Sequence, residues 1–315
     1  MYKATFPNPI SRRKFLQNSS ALAASTVLLS FGGQQLFGAV SPFQAEDPVP
    51  SFLLNNGLTM PAIGFGTHSL RGADCERYVS EAISVGYRLL DTATVYGNEE
   101  HVGAGIKKSG IDRKELFVTS KVWVDDSGYE GTKRAFDTSL NKLGLDYLDL
   151  YLIHRPRGDV KGSWKAMEEL YEAGRIKAIG LSNFDAAQMN DLMQEARVKP
   201  AVNQIETHVF FQQEEARKFL KSHGVQMEAW SPFAAGRNNM FTNQTLTAIG
   251  KKHDKTNAQV CLRWHYQRGI VAIPRSSKIA HMIENLMIFD FELDQADMET
   301  IATLDLNTTQ FPEWG

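Results

Sequence analysis

Thiols are scarce: across 315 residues the chain holds only Cys75 and Cys261. Two cysteines cannot build a disulfide scaffold, and no C-x-x-C pair is present to hold a metal or run redox exchange. Both read as separate thiols packed in the interior or against helix surfaces. An excess of one charge is also missing, since 34 Lys and Arg face 36 Asp and Glu for a net charge of −2. That balance removes any global attraction to nucleic acid or to an anionic membrane. No Pro- or Ser-rich linker, low-complexity tract or P-loop interrupts the chain. A G-x-G-x-x-G turn is missing as well: Gly103-Ala104-Gly105 is followed only by Gly110, and Glu99–Lys108 reads as helix. Helix packing explains those glycines better, so a doubly wound dinucleotide fold is rejected. What the chain does have is apolar material, with 43% of residues hydrophobic and 22% charged. That is enough to bury a large core and does not fit disorder.

The N-terminal end poses a separate problem. Ser11-Arg12-Arg13-Lys14-Phe15-Leu16 is a twin-arginine pattern, and the uncharged stretch Ala21–Gly33 that follows is 13 residues long. It falls short of the roughly 18 residues that cross a bilayer and reads as the apolar region of a signal peptide. The expectation is export of a folded protein by the twin-arginine machinery, to the periplasm. Ala39-Val40-Ser41 has the small-x-small form of a cleavage site, but Pro42 follows at once. Cleavage and a retained anchor both stay open. The chain therefore divides into a leader and linker over 1–45 and one domain over 46–315.

Those last 270 residues suit a single α/β barrel. Ser51–Leu54, Asn55-Asn56-Gly57 and Leu58–Met60 read as a hairpin. Eight short apolar runs follow: Ala62–Gly66, Tyr87–Asp91, Leu116–Lys121, Leu148–His154, Ile176–Ser182, Ala201–Glu206, Val225–Trp230 and Ile270–Pro274. Helix-period stretches lie between them at Asp74–Val85, Gly131–Leu143, Ser163–Ala173, Asp185–Glu195, Gln212–Ser222 and Ala258–Arg268. The alternation predicts an α/β fold, a (β/α)8 TIM barrel behind a short N-terminal β-hairpin.

Barrel active sites gather at the carboxyl ends of the strands. Asp91, Lys121 and His154 close the second, third and fourth runs, and Tyr96 follows Asp91 within five residues. Singly, each has a plainer explanation: a helix cap, an ion-pair member, a core histidine, a packed loop aromatic. Four of them on successive strands at one rim point to chemistry.

These residues also carry a resemblance. Asp91-Thr92-Ala93-Thr94-Val95-Tyr96-Gly97-Asn98-Glu99 resembles the D-T-A-x-x-Y-G-N-E signature of the aldo-keto reductases. Leu152-Ile153-His154-Arg155-Pro156 is similar to that family's L-I-H-x-P, and Gly180-Leu181-Ser182-Asn183-Phe184 to its G-x-S-N-F. The resemblance runs from about Phe52 to Asn307. It implies NAD(P)H-dependent reduction of an aldehyde or ketone by a tetrad of Asp91, Tyr96, Lys121 and His154. The chemistry is reasonable on its own terms: a phenol near a cation is a better proton donor, Asp91 would hold the Lys121 ammonium, and neutral His154 would orient the carbonyl.

The same resemblance places cofactor contacts. Ser182, Asn183 and Gln204 match residues that bond the nicotinamide carboxamide, and Trp230 matches an aromatic that stacks on the ring. Ser231 and the loop through Arg237 would run beside the pyrophosphate. Arg275, Ser276, Glu284 and Asn285 match the phosphate end. Two departures bear on preference: Arg275 stands where a lysine is usual, and His281 where a second arginine is usual. Loss of that fixed charge predicts NADPH with some tolerance of NADH. Trp123 resembles a pocket-lining tryptophan, with Tyr96 and Phe65 on the opposite wall. Only Asn307–Gly315 follow Leu306, so an open, permissive pocket is expected. Arg155 and Arg157 could favour acidic substrates, although solvated surface charge is their default reading. The resemblance also suggests a monomer, and no metal site is expected. Two other functions are weighed: a Schiff-base lyase using Lys121, and a noncatalytic NADPH-binding sensor barrel.

Overall fold

The computed structural model describes residues 49–314. The twin-arginine pattern, the Ala21–Gly33 stretch, the candidate cleavage site and the 1–45 boundary all lie outside the described residues.

The hairpin forms as expected. Strands β1 (Ser51–Leu53) and β2 (Thr59–Pro61) pair antiparallel with Ser51 opposite Pro61, and Gly57 takes the left-handed φ of +88° that the turn needs. Asn55 and Asn56 donate to the carbonyls of Pro200 and Lys177. Those residues precede the eighth and seventh strands, so the hairpin closes the amino-terminal end of the barrel.

Eight parallel strands follow in one sheet, in chain order: β3 (Gly64–Gly66), β4 (Leu89–Asp91), β5 (Phe117–Val122), β6 (Leu150–Ile153), β7 (Ile179–Ser182), β8 (Val202–Glu206), β9 (Gln226–Trp230) and β10 (Val271–Ala272). A bridge between Ile63 and Ala272 brings the last strand beside the first. A Cβ on Gly66 would sit 2.9 Å from the Ile273 carbonyl oxygen, so glycine permits that close approach.

The helices α1 (Gly72–Ser84), α2 (Glu99–Ser109), α3 (Tyr129–Leu143), α4 (Val160–Glu172), α5 (Ala186–Met193), α6 (Glu214–Ser222) and α8 (Asn257–Gln267) match the periodic stretches. α7 (Gln244–His253), α9 (Ile279–Leu286) and α10 (Gln295–Ala302) add to them. The starts of α5 and α8 are fixed by reciprocal capping, Asp185 with Gln188 and Thr256 with Gln259. A Cβ on Gly103 would come 2.3 Å from the Leu143 carbonyl oxygen, and one on Gly105 2.7 Å from that of Glu76. The glycine pair therefore lets α2 pack on α3 and α1, as helix packing required.

Side chains alternate along each strand. Leu89, Phe117, Leu150, Leu152, Val202 and Val271 meet inside the barrel in one cluster with Leu54 and Met60 of the hairpin. Leu90, Val118, Tyr151, Ile153, Ile179 and Leu181 face the helices in another. Phe65 belongs to this outer cluster, fully buried with its ring edge-on to Tyr87 at 5.6 Å. The expectation that Phe65 lines the pocket is therefore wrong: its neighbours Gly64 and Gly66 take the inward positions, and strand parity turns Phe65 away. Cys75 and Cys261 are buried free thiols.

Candidate active site

The inward series explains the site. Leu89 is followed two residues on by Asp91, Phe117 by Thr119 and Lys121, and Leu150 and Leu152 by His154. In the same way Ala178 leads to Ser182, and Val202 to Gln204 and Glu206, whereas β9 places Glu228 two residues before Trp230. Each polar residue continues an apolar inward series at the carboxyl end of its strand, where the barrel opens.

Lys121 lies at the centre, fully buried. Its Nζ donates to Asp91 Oδ1 at 2.7 Å, to the Thr92 carbonyl at 3.0 Å and to Tyr96 Oη at 3.3 Å. An ammonium has three hydrogens, and these three acceptors use them all. Burial works to lower the Lys121 pKa, but the Asp91 charge, Tyr96 and the Asp91 hydrogen bond outweigh it and the net shift is upward. Burial raises the half-buried Tyr96 phenol above its ordinary value, and Lys121 pulls it back in part. His154 is held well below its ordinary value by burial, then by the Lys121 and Arg155 charges. It is therefore a neutral imidazole, and its Nδ1 has no partner among the described residues.

The loop carrying Tyr96 is fixed from below. Gly97 ends its single turn at a left-handed φ of +63°, and Thr94 Oγ1 bonds the Lys121 carbonyl. Asn98 is fully buried, accepting from Thr92 Oγ1 at 2.8 Å and donating to the carbonyls of Thr67 and Leu70. Glu99 accepts from Ser120 Oγ at 2.6 Å. Asn98 and Glu99 thus hold the loop that presents the phenol.

A second set adjoins the tetrad. Gln204 Nε2 donates to Asp91 Oδ2 at 2.8 Å and to Glu228 Oε2 at 2.9 Å. Trp230 Nε1 donates to Asn183 Oδ1 at 2.8 Å, and Asn183 Nδ2 donates to Ser182 Oγ at 2.9 Å and the His154 carbonyl at 3.0 Å. Asn183 and Ser231 sit at φ of +65° and +50°, strained backbone of the kind that collects at functional sites. Trp123 packs its edge against His154 with ring centroids 4.9 Å apart.

This set fits a nicotinamide dinucleotide. Gln204 has spent its amide hydrogens on the Asp91 carboxylate and the Glu228 carboxyl, which leaves its carbonyl oxygen as an acceptor, with Ser182 and Asn183 beside it. Arg275 is exposed and unpaired among the described residues, free for a phosphate. The remaining expected contacts differ: Ser276 Oγ bonds Lys278, Glu284 accepts from Thr256 Oγ1 at 2.5 Å, and Asn285 is buried.

Four features escaped the sequence. Glu228 is fully buried, and burial, followed by the Asp91 charge, pushes its carboxyl up to about 8. Glu206 accepts from Thr309 Oγ1 at 2.5 Å and the Gln310 amide at 2.8 Å. These bonds draw the C-terminal segment across the mouth, with Phe311 buried and stacked on Trp314 at 4.7 Å. Trp314 also packs against Trp230 and against His68, which itself contacts Tyr96 at 5.0 Å. The expected open pocket is corrected accordingly: the tail is short but lies over the rim. A cavity of about 410 Å³ remains beneath this tail, bounded by Arg155, Asn183, Trp230, Phe311 and Trp314 among others; none of the four tetrad side chains lines it.

Comparisons with known proteins agree with this geometry. A model of the aldo/keto reductase family matches residues 62–306. Glyoxal reductase of Bacillus subtilis (strain 168) is 50% identical over 254 residues, covering 80% of this chain and 91% of that one. The crystal structure of MGS-M4, an aldo-keto reductase from a Medee basin deep-sea metagenome library, superposes with a TM-score of 0.81 at 44% identity, covering 83% and 97% of the two chains. A second crystal structure, aldo-keto reductase AKR2E5 complexed with NADPH, gives 0.79 at 35% identity, covering 83% and 89%. Barrel, signature and relatives coincide along one stretch of sequence, and the chain belongs to the aldo/keto reductase family of oxidoreductases.

Proposed function

We propose that the protein reduces a small aldehyde or ketone to the alcohol with NADPH, tolerating NADH, and that Tyr96 donates the proton. The observation that carries this reading is the saturation of Lys121. Because the ammonium donates to Tyr96 Oη, the phenol oxygen is the acceptor there and its own hydrogen is free to point elsewhere. A substrate carbonyl oxygen is the natural acceptor. As negative charge grows on that oxygen, Tyr96 releases its proton, and Lys121 steadies the phenolate left behind. Asp91, gripped by both Lys121 and Gln204, keeps the ammonium in place. His154, uncharged, can offer one ring N–H to the same oxygen without competing as an acid. Reduced nicotinamide, when bound, supplies the hydride. Ser182, Asn183 and the free carbonyl of Gln204 would hold its carboxamide, Trp230 its ring, and Arg275 a phosphate.

A Schiff-base role for Lys121 is disfavoured, since a buried ammonium with every hydrogen committed has no lone pair to attack a carbonyl. Residues 1–45 support, by their pattern alone, export of the folded enzyme by the twin-arginine route to the periplasm.

The test is to purify the chain without its first 45 residues and follow NADPH, then NADH, against aldehydes, dicarbonyls and keto-sugars. Turnover is expected with both nucleotides. Tyr96→Phe should lose about 10²–10⁴-fold in kcat, with nucleotide affinity within a few-fold. Full activity in that variant would remove Tyr96 from the proton-donor role.

A further inference from the structure

Arginines that are not exposed are paired throughout the described residues, with one exception. Arg113 and Arg217 hold carboxylates, and so do Arg175 and Arg268. Arg263 donates to Gln267 and the Ile288 carbonyl, and Arg88 to the carbonyls of Ile83 and Tyr87. Arg155 is half-buried and its guanidinium meets no acceptor. None of its nitrogens is among the fully buried, unpartnered atoms of the described residues, so the guanidinium can be reached from solvent and its donors are open to an incoming anion.

The position is specific. Arg155 directly follows His154 beyond the end of β6 and lines the cavity beneath the C-terminal segment. Its charge helps depress the His154 imidazole, and the Tyr96 phenol acts on it in turn. Among the described residues, no carboxylate lining the cavity is left free for it. Of those around the cavity, Glu206 is held by Thr309 and Gln310, Asp185 caps α5, and Glu215 pairs with Lys218. Arg157, exposed and equally unpaired, adds a second positive charge.

We propose that Arg155 is a specificity-determining residue that receives an anionic group of the substrate, so that the preferred substrates are carbonyl compounds carrying a carboxylate. This rests on the reductase reading above and narrows its substrate class. A guanidinium next in sequence to His154 can take a carboxylate by a charge-assisted, often bidentate, hydrogen bond while the carbonyl of the same molecule reaches toward Tyr96 and His154.

Matched pairs test it: succinic semialdehyde against its methyl ester, and 4-carboxybenzaldehyde against methyl 4-formylbenzoate, each with NADPH. The acid-to-ester ratio of kcat/KM is expected to exceed about tenfold in the wild type, the scale of one charge-assisted bond. Arg155→Gln should lower that ratio by about tenfold or more, and Arg155→Lys should keep part of it. A wild-type ratio near one, or a ratio unchanged in Arg155→Gln, overturns the proposal. So does an Arg155→Gln variant that weakens NADPH binding and keeps the ratio, since that assigns the guanidinium to the nucleotide. Absence of turnover on all four compounds and on neutral dicarbonyls would instead overturn the reductase reading itself.

Discussion

At Glu228 a carboxyl group sits inside the barrel with one oxygen accepting from Gln204 and the other without a partner among the described residues. Burial and the nearby Asp91 charge favour its protonated form up to about pH 8. In the unfolded chain the same group ionises near 4.3. Between those values the folded state binds the extra proton, so raising the pH through this window removes stability. Glu228→Gln abolishes the titration. The variant is expected to gain stability over wild type by at least about 1 kcal/mol more at pH 8 than at pH 5, read by thermal or urea unfolding at both pH values. Equal differences at the two pH values would show that Glu228 is ionised in the fold. This residue also marks where sequence reasoning stops. Asp91, Lys121 and His154 were legible because a polar residue ending an apolar run has few other uses. Glu228 lies within Gln226-Met227-Glu228-Ala229-Trp230, where a carboxylate reads alike whether it faces solvent or barrel interior. Phe65 was misread for a related reason: composition put an aromatic at a strand end, but parity decides which side it takes.

Elements were easier than their long-range contacts. All eight strands and the hairpin were visible as apolar runs and turn residues, because buried parallel strands impose a local pattern. The course of Thr309–Trp314 was not, since it depends on Glu206, 103 residues before Thr309, and on an ion pair between Arg237 and Glu313. The segment adds no strand to the barrel and is held at the rim by side-chain contacts, among them Asn238 with Gln310 and Trp230 with Phe311, so it should open separately from the barrel. Phe311→Ala removes its buried anchor, a change that costs about 3 kcal/mol where a phenylalanine is fully packed. Hydrogen exchange should show the Gln310 and Phe311 amides losing at least about tenfold of their protection while the β5 and β6 amides keep theirs. Uniform loss across the strands would mean that the tail is part of the barrel's cooperative unit.

At the scale of the whole molecule, the two ends of the barrel have different occupants. The leader reading concerns residues 1–45 and predicts that this segment, joined to a reporter that is active only after folded export, delivers it outside the cytoplasm. Arg12→Lys together with Arg13→Lys should stop delivery, and delivery unaffected by that pair would remove the twin-arginine assignment. The hairpin gives the arrangement a practical side. Val49 enters the fold at the closed end, whereas Trp314 lies at the open rim beside His68 and Trp230. A tether ahead of Val49, whether to a bead, an electrode or another protein, would hold the barrel with its mouth facing outward. A fusion placed after Trp314 would instead hang its cargo over the entrance, so the direction of attachment alone should decide whether an immobilised enzyme can be reached.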